Sequence, residues 1–237
     1  MLRTIEYGAT FRRQRELELG TVPIARTYDA DHLKVIHRHL FQDVYEWAGE
    51  FRTVDMTKGF AGRAFALVER SAGEVARYLV DVHRLVAGTD WGRLNRDEVG
   101  ERAAEVFSYL NQAHPFREGN GRASKVFMEH VAQQSRFTFD YSRVTPLEWN
   151  NASEMSRPDL NKYEPVPASL VPVFRTLAQP RSSGQAPSTV PTAGRAASRA
   201  SYPHAATQAT TPPQGPQQPG RRGLRGSGRG PGTGRGR

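Results

Sequence analysis

Residues 114–122 read HPFREGNGR, and this stretch separates two segments whose patterning is helical. Apolar residues recur before it at the spacing of one helix face, and the same spacing resumes from Val126. Pro115 disfavours helical geometry in the residue before it, so we expect the first helix to end at His114. The nine residues are therefore predicted to form a loop that opens onto the N-terminus of a helix.

Helical periodicity also dominates the rest of the first 178 residues. One apolar stripe runs from Leu33 to Ala48, and Gly49 is predicted to end that helix. A second helix is expected to start at a capping box of Ser71 and Glu74. Further start signals are Asn95 and the group Thr145, Pro146 and Glu148, and a final helix is expected over residues 167–178.

Residues 51–65, FRTVDMTKGFAGRAF, interrupt this pattern. The segment is β-branched at first and then broken by glycines, which is typical of a short hairpin or flap. No strand–helix–strand alternation and no internal repeat follow. The fold class is therefore predicted to be all-α with one small hairpin.

Charge divides the chain into unequal parts. Residues 179–237 contain nine arginines and no Lys, Asp or Glu, whereas the preceding residues hold 24 basic and 24 acidic side chains. The tail has almost no large apolar residues and cannot offset its chain entropy by burial, so it is predicted to be disordered. We divide the chain into an N-terminal extension (1–30), a domain (31–178) and this tail, whose arginines and glycines suit contact with nucleic acid.

Composition also excludes several classes of protein. The chain has no cysteine, so it has neither a disulfide nor a thiolate metal site. No apolar run approaches the ~20 residues needed to span a bilayer, and no signal-peptide core is evident. The expectation is a cytoplasmic protein without membrane contact.

The residue types of the loop predict a site that holds a phosphate group next to a general base. The segment Gly119-Asn120-Gly121 is predicted to gather its N–H groups into an anion-binding nest, which the following helix end extends. Arg122 offers a fork of donors to phosphate oxygens, and Glu118 offers a carboxylate of the kind that holds Mg²⁺. His114 suits a general base at neutral pH.

This loop resembles the signature of the Fic family, HxFx[DE]GNGRxxR, which reads HPFREGNGRASK here. WAGEFRTVDMTKG resembles the segment that leads into that family's target-docking flap, and the helical layout from residue 31 to 178 is similar to the Fic core. The resemblance implies the Fic fold and transfer of AMP from Mg-ATP to a hydroxyl side chain of a target protein.

The resemblance also implies a role for each residue of the loop. His114 would deprotonate the target's Tyr, Ser or Thr hydroxyl, Phe116 would anchor the loop, and Glu118 would hold Mg²⁺. ATP phosphates would lie against Gly119, Asn120, Gly121, Arg122 and Lys125. The target would dock along a flap made of Thr53, Val54, Asp55, Met56, Thr57, Lys58 and Gly59, where we interpret Met56 and Lys58 as docking or solvent-facing surface.

Two positions bear on the type of reaction. Lys125 stands where the family pattern has a second arginine, and lysine keeps the charge but loses the bidentate fork. Gly121 stands where the related Doc branch, whose members phosphorylate their targets, carries lysine. Glycine there favours AMP transfer, and kinase activity is the alternative.

Regulation is inferred from a missing motif. Many Fic enzymes carry an inhibitory [ST]xxxE[GN] helix, but the only Glu before Gly or Asn in this sequence is Glu118. The chain thus resembles the branch in which a separate small antitoxin supplies that helix. The resemblance implies a toxin–antitoxin pair, and the target could be a topoisomerase subunit.

A different class of function remains open at this point. A Fic-fold binding protein with weak catalysis, whose partner docks on the flap, would share these motifs, and Lys125 supports that alternative. His37 and His130 lie on apolar helix faces and are interpreted as core residues, and no metal site is expected at His32, His37 and His39.

Overall fold

The helices surround one long central helix. The computed structural model describes residues 2–58, 63–68 and 73–181, so Gly59, Ser71 and nearly all of the tail predicted as disordered lie outside the described residues. Within those ranges the α-helices are α1 (Leu2–Glu18), α2 (Ala30–Phe41), α3 (Glu74–Ala87), α4 (Arg96–Ala113), α5 (Asn120–Ala132), α6 (Pro146–Met155) and α7 (Val171–Leu177).

The strands are short and form two antiparallel pairs. β1 (Thr57–Lys58) pairs with β2 (Arg63–Ala64), which confirms a hairpin in the predicted segment. β3 (Phe137–Phe139) pairs with β4 (Ala178–Pro180), so the packed chain continues past residue 178. This second pair was not predicted, because a three-residue strand carries too little alternation to be recognised in a sequence.

α4 is the centre of the core. It packs against α3, α5 and α7, while α2 packs against α1 and α5. Phe107 of α4 is buried and contacts the rings of Trp149 and Phe174 at tilted angles of 58° and 55°, which joins α4, α6 and α7 in one aromatic cluster. Because both α4 and α5 are held by this core, the loop between them has two fixed ends.

Capping explains most of the observed helix starts. Asn95 and Glu98 form a reciprocal box at the start of α4, and Thr145 and Glu148 form another at α6 with Pro146 in its first turn, as predicted. The predicted box of Ser71 and Glu74 involves Ser71, which lies outside the described residues. Gly73 is the N-cap of α3, and the Glu74 carboxylate accepts the Leu67 N–H at 2.8 Å.

The predicted end of α2 at Gly49 is wrong, because α2 ends at Phe41 and turns follow it. Tyr45 stacks on Phe41 at 5.7 Å and on Trp47 at 4.3 Å. These turns keep neighbours three and four residues apart in contact, and a helix produces the same apolar spacing. The apolar stripe therefore continues past the end of the helix itself.

A buried histidine pair joins the start of α2 to the end of α5. His32 Nε2 lies 2.9 Å from His130 Nδ1, and the rings stack with an interplanar angle of 9°. The Arg26 guanidinium also contacts His130 Nδ1. Burial lowers the pKa of His32 to about 4 and that of His130 further still, so both rings are neutral at physiological pH.

We predict that this pair makes the fold sensitive to acid. Below about pH 6.5 the His32 imidazole binds a proton in the unfolded chain but not in the folded protein. The free energy of unfolding therefore decreases as pH falls from about 6.5 to about 4. A pKa near 4 corresponds to a loss on the order of 3 kcal/mol for His32. Urea unfolding across this pH range should show a shallower loss in His32→Phe than in the wild type.

The exposed His83 of α3 provides the matched control. His83→Gln should keep the wild-type dependence on pH, because the His83 side chain is exposed and does not belong to the buried pair. A wild-type pH dependence in His32→Phe would contradict the assignment of the acid sensitivity to the buried pair.

Candidate active site

His114 occupies an unusual backbone conformation at the end of α4. It is the C-cap of that helix, with φ 38° and ψ 57° in the left-handed region that favours glycine. Its N–H donates to the Leu110 carbonyl at 3.3 Å, and its side chain is buried. A non-glycine residue in this region costs free energy and persists only where its surroundings enforce it.

Arg52 holds that conformation from the flap side. Its Nε donates to the His114 carbonyl oxygen at 2.8 Å and its Nη1 to the Val54 carbonyl oxygen at 2.8 Å. Its Nη2 donates to the carbonyl oxygens of Ala66 and Ala113. One buried guanidinium thus joins the end of α4 to both sides of the hairpin, and burial lowers its pKa to about 10.

The loop is closed by the Asn120 side chain. Its Oδ1 accepts the Phe116 N–H at 2.9 Å, and its Nδ2 donates to the Phe116 carbonyl oxygen at 2.7 Å. The Phe116 ring is fully buried and stacks on His37 at 3.7 Å, with Phe51 at 5.3 Å. Phe116 therefore has the surroundings expected of an anchor, and the amide of Asn120 is used inside the loop.

His37 supports the next residues of the loop. Its Nε2 lies 3.0 Å from the Glu118 carbonyl oxygen, and its Nδ1 accepts the Gly49 N–H at 2.9 Å. Burial lowers its pKa to about 4, so it is a neutral ring that donates from Nε2. The core interpretation of His37 agrees with its burial but missed its contact with the loop.

α5 presents its N-terminus inside the loop. Its N-cap is Gly119, which forms no side-chain cap, and the first N–H groups of a helix have no partner within it. Gly119 has φ +80°, but Asn120 and Gly121 are already helical. The predicted nest over all three residues is therefore wrong in its backbone angles, and the helix end supplies the converging N–H groups instead.

Two charged side chains flank this helix end. Arg122 lies with its Nη2 3.8 Å from Glu118 Oε1, and its Nη1 donates to Thr10 Oγ1 at 3.2 Å. Its guanidinium also lies 4.5 Å from the centre of the Phe41 ring. Glu118 Oε1 accepts the Gly119 N–H at 3.0 Å, and this side chain is partly exposed. A carboxylate and a guanidinium therefore face the same helix N-terminus.

Lys125 lies one turn further along α5. Its Nζ is 4.8 Å from the centre of the Tyr141 ring and 5.1 Å from that of Trp149. Burial lowers its pKa to about 7. This position places the ammonium against the side of α5 that faces α6, and a contact of Lys125 with a phosphate stays a prediction.

The hairpin lies over the end of the site that contains His114. Phe65, the residue after β2, stacks on the His114 imidazole with ring centres 3.7 Å apart. Asp55 accepts the Val68 N–H at 2.7 Å, and Thr53 is exposed. Met56 is only 5 % exposed and supports the hairpin from inside, so its interpretation as exposed surface is wrong.

Sequence reasoning missed four residues that contact the predicted loop: Thr10, His37, Arg52 and Phe65. Each meets the loop from a distant part of the chain. His37 lies on the apolar face of α2, but that spacing does not reveal its contact with the loop, and the other three belong to no spacing pattern. Arg52 has the clearest signal in the sequence, because this basic residue stands between the aromatic Phe51 and the β-branched start of the hairpin.

No ready-made metal cage is found in the described ranges. No group of three or more His, Asp or Glu side chains there could hold a metal ion. Mg²⁺ in phosphate sites is commonly held by one or two carboxylates together with the substrate's phosphates. The single, partly exposed carboxylate of Glu118 beside a helix N-terminus fits that second arrangement.

The fold and site together define a helical protein that presents a helix N-terminus without a side-chain cap beside a buried imidazole. The profile of the Fic/DOC family matches residues 27–132. The Fic protein of Escherichia coli K12, named a probable protein adenylyltransferase, is 32 % identical over 149 residues, which cover 62 % of this chain and 70 % of that protein. The chain belongs to the Fic/DOC family.

Another relative is considerably longer. Protein adenylyltransferase VbhT of Bartonella schoenbuchensis is 36 % identical over 146 residues, which make up 61 % of this chain and 29 % of that protein. The chain thus spans less than a third of the length of VbhT. No described helix is long and apolar enough to cross a membrane.

Solved Fic-domain structures show the same fold. BepC of Bartonella tribocorum, with bound AMPPNP, superimposes with a TM-score of 0.62 at 25 % identity, covering 76 % of this chain and 88 % of that one. The N-terminal Fic domain of a Bartonella quintana protein, with bound ADP, has a TM-score of 0.62 at 29 % identity, covering 77 % and 86 %. Both of these neighbours hold an adenine nucleotide.

We predict that Gly119→Ala distorts the loop. An added Cβ would stand 2.3 Å from Phe41 Cζ, and φ +80° is strained for any L side chain. Strain and overpacking together should lower the free energy of unfolding by about 2–4 kcal/mol. Urea unfolding measures this loss.

Gly8→Ala is the matched control, because a Cβ at Gly8 in α1 meets nothing within 4 Å. That change should stabilise the protein by about 0.5–1 kcal/mol, since alanine favours a helix. Equal effects of the two substitutions would contradict the close approach at Gly119.

Proposed function

We propose that this protein is a protein adenylyltransferase that moves AMP from Mg-ATP to a hydroxyl side chain of a target protein. The observation that carries the proposal is the meeting of a buried imidazole, a helix N-terminus, a carboxylate and a guanidinium in the loop of residues 114–122. Relatives named protein adenylyltransferase and neighbours with bound adenine nucleotides support it.

His114 acts as the base in this proposal. Its imidazole takes the proton of a target Tyr, Ser or Thr hydroxyl, and the resulting oxygen attacks the α-phosphorus of ATP. The new bond joins that oxygen to phosphorus, and the bond to the β-phosphate oxygen breaks, so that pyrophosphate leaves. Orienting the two reactants is a large part of such catalysis.

The helix end and the charged side chains act on the phosphates. The first N–H groups of α5 point at the anion and its dipole favours negative charge there. Arg122 adds a fork of donors, and its contact with Thr10 Oγ1 limits the directions that the fork can take. Glu118 would hold Mg²⁺, which neutralises phosphate charge when bound.

A transfer assay with two labels tests the proposal. The protein, Mg-ATP and a bacterial lysate are incubated with ATP labelled in the α- or the γ-phosphate. We expect protein-bound label from α-labelled ATP alone, and loss of at least about 100-fold in His114→Ala, because the base is removed. Protein labelling from γ-labelled ATP would instead show a kinase.

His83→Ala is the matched control, since that histidine is exposed and belongs to α3 rather than to the loop. It should label proteins at the wild-type rate. Absence of label from both forms of ATP, in several lysates, would contradict transferase activity and favour the Fic-fold binding protein.

We also propose that the chain is the toxin of a toxin–antitoxin pair. No [ST]xxxE[GN] segment occurs in these 237 residues, and this supports an inhibitory helix supplied by another polypeptide. The target could be a topoisomerase subunit, and a cytoplasmic location would give access to it. This part of the proposal rests on family analogy.

Growth of bacteria that express the chain alone tests this role. We expect slower growth with the wild type and normal growth with His114→Ala at equal expression. If target proteins are labelled but growth is normal, the transferase proposal stands and the toxin proposal fails.

A further inference from the structure

The candidate base is held by an aromatic ring from the hairpin. The rings of Phe65 and His114 are nearly parallel, at 10°, with centres 3.7 Å apart. Both side chains are buried, with Phe65 only 4 % exposed. A flat contact of this kind blocks rotation of the imidazole out of the stacking plane, so the direction of its nitrogens depends on where Phe65 lies.

Backbone hydrogen bonds fix the position of Phe65. Its N–H donates to the Met56 carbonyl oxygen at 2.9 Å, which continues the hairpin pairing by one residue. The next N–H, of Ala66, donates to the Gln112 carbonyl oxygen at 3.0 Å in the last turn of α4. Phe65 is thereby tied both to the hairpin and to the helix that carries His114.

Arg157 supports the same ring. Its Cζ lies 4.3 Å from the centre of the Phe65 ring, within the range of a cation–π contact. Its Nη2 donates to the carbonyl oxygen of Arg63 at 2.8 Å and to that of Ala64. Because the imidazole covers one face of Phe65, the guanidinium of this buried arginine occupies the other face.

The backbone and the ring of His114 are thus held by the two ends of one segment. Arg52, before the hairpin, binds the His114 carbonyl oxygen, and Phe65, after the hairpin, stacks on the imidazole. We propose that Phe65 is a positioning residue that aims the imidazole at the target hydroxyl, with Arg157 holding Phe65 in place. This inference rests on the proposed role of His114 as the base.

Rate measurements separate positioning from folding. In Phe65→Leu, which keeps apolar volume but loses the ring plane, transfer at saturating ATP should fall about 10- to 100-fold, the effect of a misplaced group. The KM for ATP should change less than about twofold, because the phosphate contacts are intact. Phe65→Tyr retains the ring and should recover most of the rate.

Phe139→Leu is the matched control, because Phe139 of β3 is similarly buried, at 5 %, and packs on Phe174 of α7. It should lower the melting temperature as Phe65→Leu does and leave the transfer rate unchanged. A wild-type rate in Phe65→Leu, or an equal loss of rate in Phe139→Leu, would overturn the proposal.

Proton NMR tests the stack without any catalysis. A ring stacked face to face shifts the His114 imidazole proton resonances upfield, and His114→Ala assigns them. We expect the shift in the wild type, its loss in Phe65→Leu and its retention in Phe139→Leu. If the wild type shows the shift but transfers no AMP, the proposed function fails while the contact stands. An unshifted wild-type resonance overturns the positioning role itself.

Discussion

The site depends on one buried guanidinium. Arg52 donates to carbonyl oxygens of Ala113 and His114 at the end of α4 and of Val54 and Ala66 beside the hairpin. Without it, carbonyl groups at a buried helix end would be left without partners, at a cost of roughly 1–3 kcal/mol each. The left-handed turn at His114, and with it the direction of the whole loop, is stable because these donors are present.

Other core residues also hold the loop in position. His37 is buried and neutral, yet its Nε2 holds the carbonyl of Glu118. Phe41 fills the space beside Gly119 and lies under the Arg122 guanidinium. The contacts that pack the domain therefore also set the positions of Glu118, Gly119 and Arg122 in the loop.

Much of the local structure followed from the sequence. The loop, the caps of α4 and α6 and the hairpin are encoded by residues close together in the chain, so their chemistry can be recognised in order. The β3–β4 pair and the contacts of Arg52 and Phe65 with His114 join residues that lie far apart in the chain. The end of α2 is hidden in the sequence because the turns after it keep the apolar spacing of a helix. Lys125 illustrates the limit: its place in the loop motif was visible, but the rings of Tyr141 and Trp149 beside it were not.

The paired hydrogen bonds of Asn120 have a consequence for ligand binding. A side-chain amide that both accepts from and donates to the Phe116 backbone closes the loop as a second strand would. The loss of chain freedom that a flexible phosphate loop suffers on binding has here already occurred during folding. A ligand that binds here would not have to order the loop first, so that entropic cost would not reduce its affinity.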